Sequence, residues 1–246
     1  MISRANIRYP IDFCREYYAG LVLSAVGTAS PVPHQEDTGV DYYCTLIEHE
    51  GQRGLVTDLF TVQVKSNLEP WVFKTPESVR WLVAHLLPLF LCVVNRTEGS
   101  VSIFHTAPRF YLWAMPPLPD CVNLWPTQDE IGQCTQWEGG TTFSLSAPIL
   151  TLNVQEAEQQ SFRDMAKEVL KFWISVDKAN LARMVDGIHS FQMPHEYLTN
   201  SPRQYTPRHA VFLTARGYSN TSRFQTLGIP SKKRESGRHT KWTATR

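Results

Sequence analysis

Cysteine, long apolar runs and net charge are all scarce in this 246-residue chain. The five cysteines, Cys14, Cys44, Cys92, Cys121 and Cys134, are odd in number and widely spaced, with no CxxC and no Cys/His ligand spacing. That pattern excludes a disulfide framework and a zinc-finger-like site, and leaves reduced, mostly buried thiols. No stretch reaches the roughly 18 apolar residues of a membrane helix, because the richest one, Trp81 to Val94, is interrupted by His85 and Pro88. Residues 1–20 carry Arg4, Arg8, Asp12, Arg15 and Glu16 and lack the apolar core of a signal peptide. A cytoplasmic protein with no membrane partner is expected. No Walker-type glycine loop and no HExxH spacing occur, and His195-Glu196, followed by Tyr197-Leu198-Thr199, reads as surface.

The formal net charge of +1 conceals an asymmetry. Residues 199–246 hold ten Lys/Arg and one acid, Glu235, so this segment carries +9 and the first 198 residues carry −8. An acidic body with a basic tail points to a polyanion, or to a tail docked on its own body.

Regular structure is legible in several stretches. Cys14, Tyr17, Tyr18, Leu21, Val22 and Ala25 give an apolar helical stripe over Ile11 to Val26, with Gly27 as its stop and Thr28 to Thr38 as a loop. Gly39 to Ile47 and Leu59 to Lys65 read as two strands. Thr75-Pro76-Glu77-Ser78 is a helix start, and Leu89 to Val94 is a strand covered on both faces. Arg109 to Ala114 reads as a short helix. Helices over Gln155 to Val176 and around Lys178 to Phe191 would form a helical hairpin against the sheet. Trp81, Trp113, Trp125, Trp137 and Trp173 are read as core side chains rather than base-stacking platforms. Three parts follow: an α/β body over residues 5–153, a helical extension over 154–198, and a basic, partly disordered tail over 199–246.

The chemistry concentrates in the two strands. Period two puts Thr61, Gln63 and Lys65 on one face and Phe60, Val62 and Val64 on the other. A turn near Gly51 to Arg53 sets Asp41 opposite Gln63 to Lys65, so a carboxylate, an amide and an ammonium converge. Gln63 and Lys65 would hold their Cβ atoms about 6 to 7 Å apart, a spacing that can flank an ion and its water. Read alone, the same residues are also the solvated face of an edge strand, with Asp41 capping a turn. If both faces of the sheet are covered, buried Asp41 and Lys65 would cost several kcal/mol unless paired or metal-bound, which favours a cleft.

The order of a helix with Glu16, a strand with Asp41, a strand with Gln63-Val64-Lys65, a helix and an apolar strand resembles the restriction-endonuclease-like, or PD-(D/E)XK, superfamily. Within it, Gly39-Val40-Asp41, Phe60 to Ser66, and Trp81 ahead of Pro88 to Val94 look most like an uncharacterised branch covering roughly residues 5 to 175. The resemblance implies an α/β fold in which a central mixed sheet is flanked by helices around an αβββαβ core. It implies hydrolysis of DNA phosphodiester bonds with Mg²⁺ or Mn²⁺, on double- or single-stranded DNA, in defence against foreign DNA. By the same resemblance Asp41, Gln63 and the Val64 backbone carbonyl hold the metal, Lys65 attends the attacking water, and Glu16 matches the helix glutamate that some members add. Gln63 departs from the usual acid, and an amide oxygen is the weaker ligand for a hard cation. It matches the glutamine variant of methylated-DNA restriction nucleases. The alternative is a catalytically inactive nuclease-fold module that binds nucleic acid or a protein, with a homo-oligomer or a defence-system protein as further partners.

Overall fold

Leu89–Asn95 (β5) has six consecutive buried residues, Leu89 to Val94, and the rest of the molecule is layered around it. The computed structural model describes residues 16–33, 39–51, 53–127, 134–137, 139–194 and 210–214. A six-stranded sheet runs in the order β1-β2-β3-β5-β6-β10, with β1 at Gly27–Pro31, β2 at Tyr42–Glu50, β3 at Arg53–Lys65, β6 at Ser100–His105 and β10 at Leu150–Asn153. Every pairing is antiparallel except β3 with β5, where Thr61 faces Leu89 and Lys65 faces Val93. Parallel neighbours need a crossover. Helix α2, Pro76–Ala84, supplies it, and Thr75 and Ser78 close a capping box at its start. The fold is therefore α/β, with a mixed sheet flanked by helices.

One face of the sheet is covered by helices, and the other is covered at its centre but open at the β2–β3 end, where Tyr43 and Leu59 are exposed. One face presents Phe60, Val62 and Phe90, and on it lie α1, described over residues 16–23, and the long helix α5, Gln160–Val185. The Tyr42 hydroxyl donates to the Glu16 carbonyl of α1 at 2.8 Å, and Trp173 of α5 stacks on His105 at 4.1 Å. The opposite face presents Thr61, whose hydroxyl lies 2.8 Å from His85 Nε2 at the end of α2. A second sheet, not anticipated from the sequence, has the order β4-β7-β9-β8, from Trp71–Phe73 (β4), Cys121–Trp125 (β7), Cys134–Trp137 (β8) and Gly140–Ser144 (β9). Between β6 and β7 lies α3, Arg109–Ala114, as expected.

Three expectations are corrected. Gly27–Pro31, read as a helix stop running into a loop, is the edge strand β1, paired with Tyr42 to Leu46. The approach is close: a Cβ on Gly27 would lie 1.7 Å from the Thr45 carbonyl oxygen, so only glycine fits there. The helical hairpin is absent. A short helix α4, Val154–Glu158, ends at the extended Gln159, and α5 then runs unbroken through Asp177 to Val185. Asp177 and Asn180, which interrupt the apolar stripe in sequence, are buried and partnered, so the inward face continues through them. Ser190–Pro194, expected to be helical as far as Phe191, forms β11 and pairs with β12, Ala210–Thr214. The remainder of the basic tail, residues 199–209 and 215–246, lies outside the described residues.

Among the described residues no helix is long and apolar enough to cross a membrane. Cys44 and Cys92 are buried, and burial pushes the Cys44 thiol up to about 12, which removes it as a nucleophile at neutral pH. Trp173 is buried as expected, whereas Trp125 is 47% exposed.

Candidate functional site

The site begins with the chain turning into β2. Gly39 has φ +76°, and a Cβ there would sit 2.8 Å from the Trp81 ring of α2. Glycine is required both for the backbone and for the contact. The Asp41 amide then donates to the Val62 carbonyl at 2.8 Å, which extends the β2–β3 register and places Asp41 across from Gln63. One carboxylate oxygen, Asp41 Oδ2, accepts from the Val64 backbone amide at 2.6 Å and from Gln63 Nε2 at 2.6 Å. The Gln63 nitrogen also lies 3.5 Å from the Val64 carbonyl oxygen. An amide N–H₂ group thus bridges two of the oxygens that the resemblance assigns to a cation.

Lys65 follows two residues later on the same face and is half-buried. Burial pulls its ammonium below the usual lysine range, opposed by the negative charges of Glu69 and Asp41, in that order. Glu69 went unnoticed in the sequence. It sits in the bend after β3, where its amide donates to Asn67 Oδ1 at 3.3 Å, and only its position four residues beyond Lys65 could have signalled it.

Glu16 stands differently. Tyr42 faces the side of the sheet that α1 covers, and Asp41, one residue earlier, faces the other. Glu16 is linked to the site through Tyr42: burial raises that phenol to about 12, helped by Glu16 and then Asp41. Asp41, Gln63, Val64 and Lys65 are therefore brought together, and Glu16 neighbours them across Tyr42.

A buried polar brace fixes the strand beside the site, and no local signal announced it. Arg109 donates to the carbonyls of His85 at 3.0 Å and Leu87 at 2.8 Å, and to Asp177 Oδ2 at 3.2 Å. Asp177 Oδ2 also accepts from the Leu89 amide at 3.3 Å, while Thr61 Oγ1 donates to the Pro88 carbonyl at 3.1 Å. These bonds set where β5 begins against β3, and hence the Lys65–Val93 register. Burial dominates the charges here: Asp177 is raised to about 6, against the pull of Arg109, and His85 is lowered to about 4.

The donor set suits a hard cation in kind but is poor in charge. It offers one carboxylate, one backbone carbonyl and one amide oxygen, once Gln63 turns its oxygen inward. Among the described residues no group of three His, Cys, Asp or Glu is arranged to hold a metal. A magnesium ion there would complete its shell with water and substrate phosphate, as this ion commonly does. Comparison of the chain with protein-family models, curated proteins and solved structures finds no match.

Proposed function

We propose that the chain is a Mg²⁺- or Mn²⁺-dependent DNA phosphodiesterase of the restriction-endonuclease-like kind, acting at the Asp41–Gln63–Val64–Lys65 cluster. The observation that carries this reading is the Gln63 nitrogen held between Asp41 Oδ2 and the Val64 carbonyl. A group bearing partial positive charge already bridges two oxygens there, and rotation of the amide about its last torsion would offer a third oxygen instead. Support also comes from the element order α1-β1-β2-β3-β4-α2-β5, in which β1, β2, β3 and β5 are adjacent in that order in the six-stranded sheet and β4 belongs to the second sheet. Apart from the inserted β4, this order is compatible with the αβββαβ core that the resemblance implies.

When bound, the metal would stabilise charge on the phosphate and acidify a coordinated water. The chain's own residues divide the remaining work. Asp41, anchored by the Val64 amide, fixes the carboxylate direction. Gln63 selects between two states by the face of the amide it presents. Lys65, half-buried at the strand end, orients the attacking water and holds charge against the phosphate. Hydrolysis forms a bond from the water oxygen to phosphorus, the water giving up a proton to solvent, and breaks the phosphorus–oxygen ester bond, with the leaving oxygen taking a proton from solvent.

A second reading has its own observation. The Gln63 amide already satisfies Asp41, and the site has a single carboxylate, which fits a nuclease-fold module that binds nucleic acid or protein without cleaving. Incubating plasmid and single-stranded DNA with the chain and Mg²⁺ or Mn²⁺, beside Asp41→Ala and Lys65→Ala, separates the readings. Nicking by the wild type that both substitutions abolish is expected. Nicking that survives both removes the assigned site, and binding without nicking under every condition selects the module.

A further inference from the structure

A cleft of about 430 Å³ opens where the chain between α3 and β7 faces the turn between β8 and β9. That volume lies in the range of small-molecule sites. Its apolar wall is Tyr111, Met115, Pro117 and Leu118, and its polar side is Asp120 and Thr141 with the backbone of Gly139 and Gly140. The wall is anchored at one end, where Tyr111 is buried and packs edge-on against Phe143 and Phe191, and the Asp120 and Cys121 amides both donate to the Gly139 carbonyl at 3.1 Å. The Asp120 carboxylate lies beside Gly139, about the width of a van der Waals contact from where a side chain would begin. It makes no hydrogen bond or ion pair with any described residue. A largely apolar wall thus faces one uncommitted carboxylate, and among the described residues no cation lines the space.

We infer that this cleft binds a guanine-type base, with the ring against the Met115–Leu118 wall and its imino and amino groups donating to the Asp120 carboxylate. The choice follows from donor geometry. A carboxylate has two acceptor oxygens and no donor, so it is matched by two adjacent N–H groups, which guanine presents on one edge. Adenine and cytosine present one amino group next to a ring-nitrogen acceptor, which the carboxylate repels. Thymine presents one imino N–H between two carbonyl oxygens. A guanidinium also offers paired donors, but an arginine side chain would leave most of the apolar wall unfilled. Among the described lining residues no cation draws a phosphate in, so the base is the part of a nucleotide placed in the cleft. The cleft lies apart from the Asp41 cluster, and base binding does not depend on the nuclease reading.

The full chain, without metal, is titrated with guanosine, inosine, adenosine and N-acetylarginine amide by calorimetry and ligand-observed NMR. Guanosine is expected to bind about tenfold more tightly than inosine, which lacks the amino group, and more tightly than adenosine. Asp120→Asn is expected to weaken guanosine about tenfold while leaving the melting temperature unchanged, because this exposed carboxylate supports nothing else in the fold. Equal affinity for the three nucleosides, tighter binding of the arginine amide, or indifference to Asp120→Asn would overturn the inference. A dG-containing single strand that binds more tightly than guanosine monophosphate identifies strand-borne guanine as the source, and the reverse order identifies the free nucleotide. Because no metal or cleavage enters the measurement, failure here and failure of the nuclease reading are separate results.

Discussion

Gln63→Glu is the substitution that most directly interrogates the cluster. It places an acid at this position and keeps the side-chain length, but it replaces a donor with a second negative charge. Asp41 Oδ2 now accepts from Gln63 Nε2 at 2.6 Å. In the variant that hydrogen bond, worth about 1 kcal/mol, is lost. Two carboxylates about 4 Å apart repel by about 4 kcal/mol at an effective dielectric of 20, and partial exposure with side-chain relaxation brings this to about 2 kcal/mol. The total is about 3 kcal/mol of lost stability in EDTA near pH 8, or a fall of about 6 to 12 °C in Tm for a chain of this size. Near pH 5 the variant recovers part of the loss, since one of two close carboxyls then takes up a proton. Millimolar Mg²⁺ or Mn²⁺ reverses the sign of the argument, because two carboxylates and the Val64 carbonyl form a better hard-cation site than one carboxylate and an amide. Melting of the wild type and Gln63→Glu in EDTA and in metal tests this. The variant is expected to gain several degrees from metal and the wild type less. An identical deficit with and without metal would refute the shared site.

Other outcomes follow from the same structure. Arg109→Ala or Asp177→Ala, each leaving a buried charge unpaired, should lose about 3 to 5 kcal/mol in urea unfolding, while the double change Arg109→Met with Asp177→Leu should recover most of it; equal loss in the double variant would contradict the pairing. Gly39→Ala, at φ +76° and against the Trp81 ring, should lose about 1 to 3 kcal/mol and lower activity with it; a neutral result would remove the strain argument. Acidification should destabilise the chain. His105 and His85 hold folded values of about 3 and about 4, below the ordinary 6.5, so the unfolded chain takes up protons that the folded chain refuses. Stability is lost as pH falls from 6.5, with fully buried His105 contributing about 1.4 kcal/mol per pH unit. Asp177, raised to about 6, acts oppositely from there down to its ordinary 3.8, so the loss is steepest just below pH 6.5. Urea midpoints at pH 7.5, 6.2 and 5 measure the slope, and a midpoint that rises on acidification would contradict it. Ending the chain at Thr214 removes eight Lys/Arg and one acid while keeping β12, and should flatten the salt dependence of DNA binding; an unchanged slope would remove the tail from the interface.

What could be read in the sequence was local. The β5 run, the Thr75 cap and the α3 turn each carry their signal within a few residues, and the Asp41–Gln63 meeting follows from counting back across one hairpin. The misread features depend on distant partners. Gly27–Pro31 becomes a strand only because β2 offers an edge that comes within reach of a residue without a side chain. The break wrongly assigned near Asp177 arose because the polar run Asp177 to Asn180 imitates the end of an apolar stripe. Of these, Asp177 faces inward to Arg109, 68 positions away, and Asn180 to the backbone of β11. The same logic bears on the candidate site. Its members Asp41, Gln63 and Lys65 were legible from spacing, but spacing could not say which way the Gln63 amide points. That orientation, nitrogen toward Asp41, sets a donor where a cation would need an oxygen, and it is why metal-dependent stability is the measurement on which the proposed function turns.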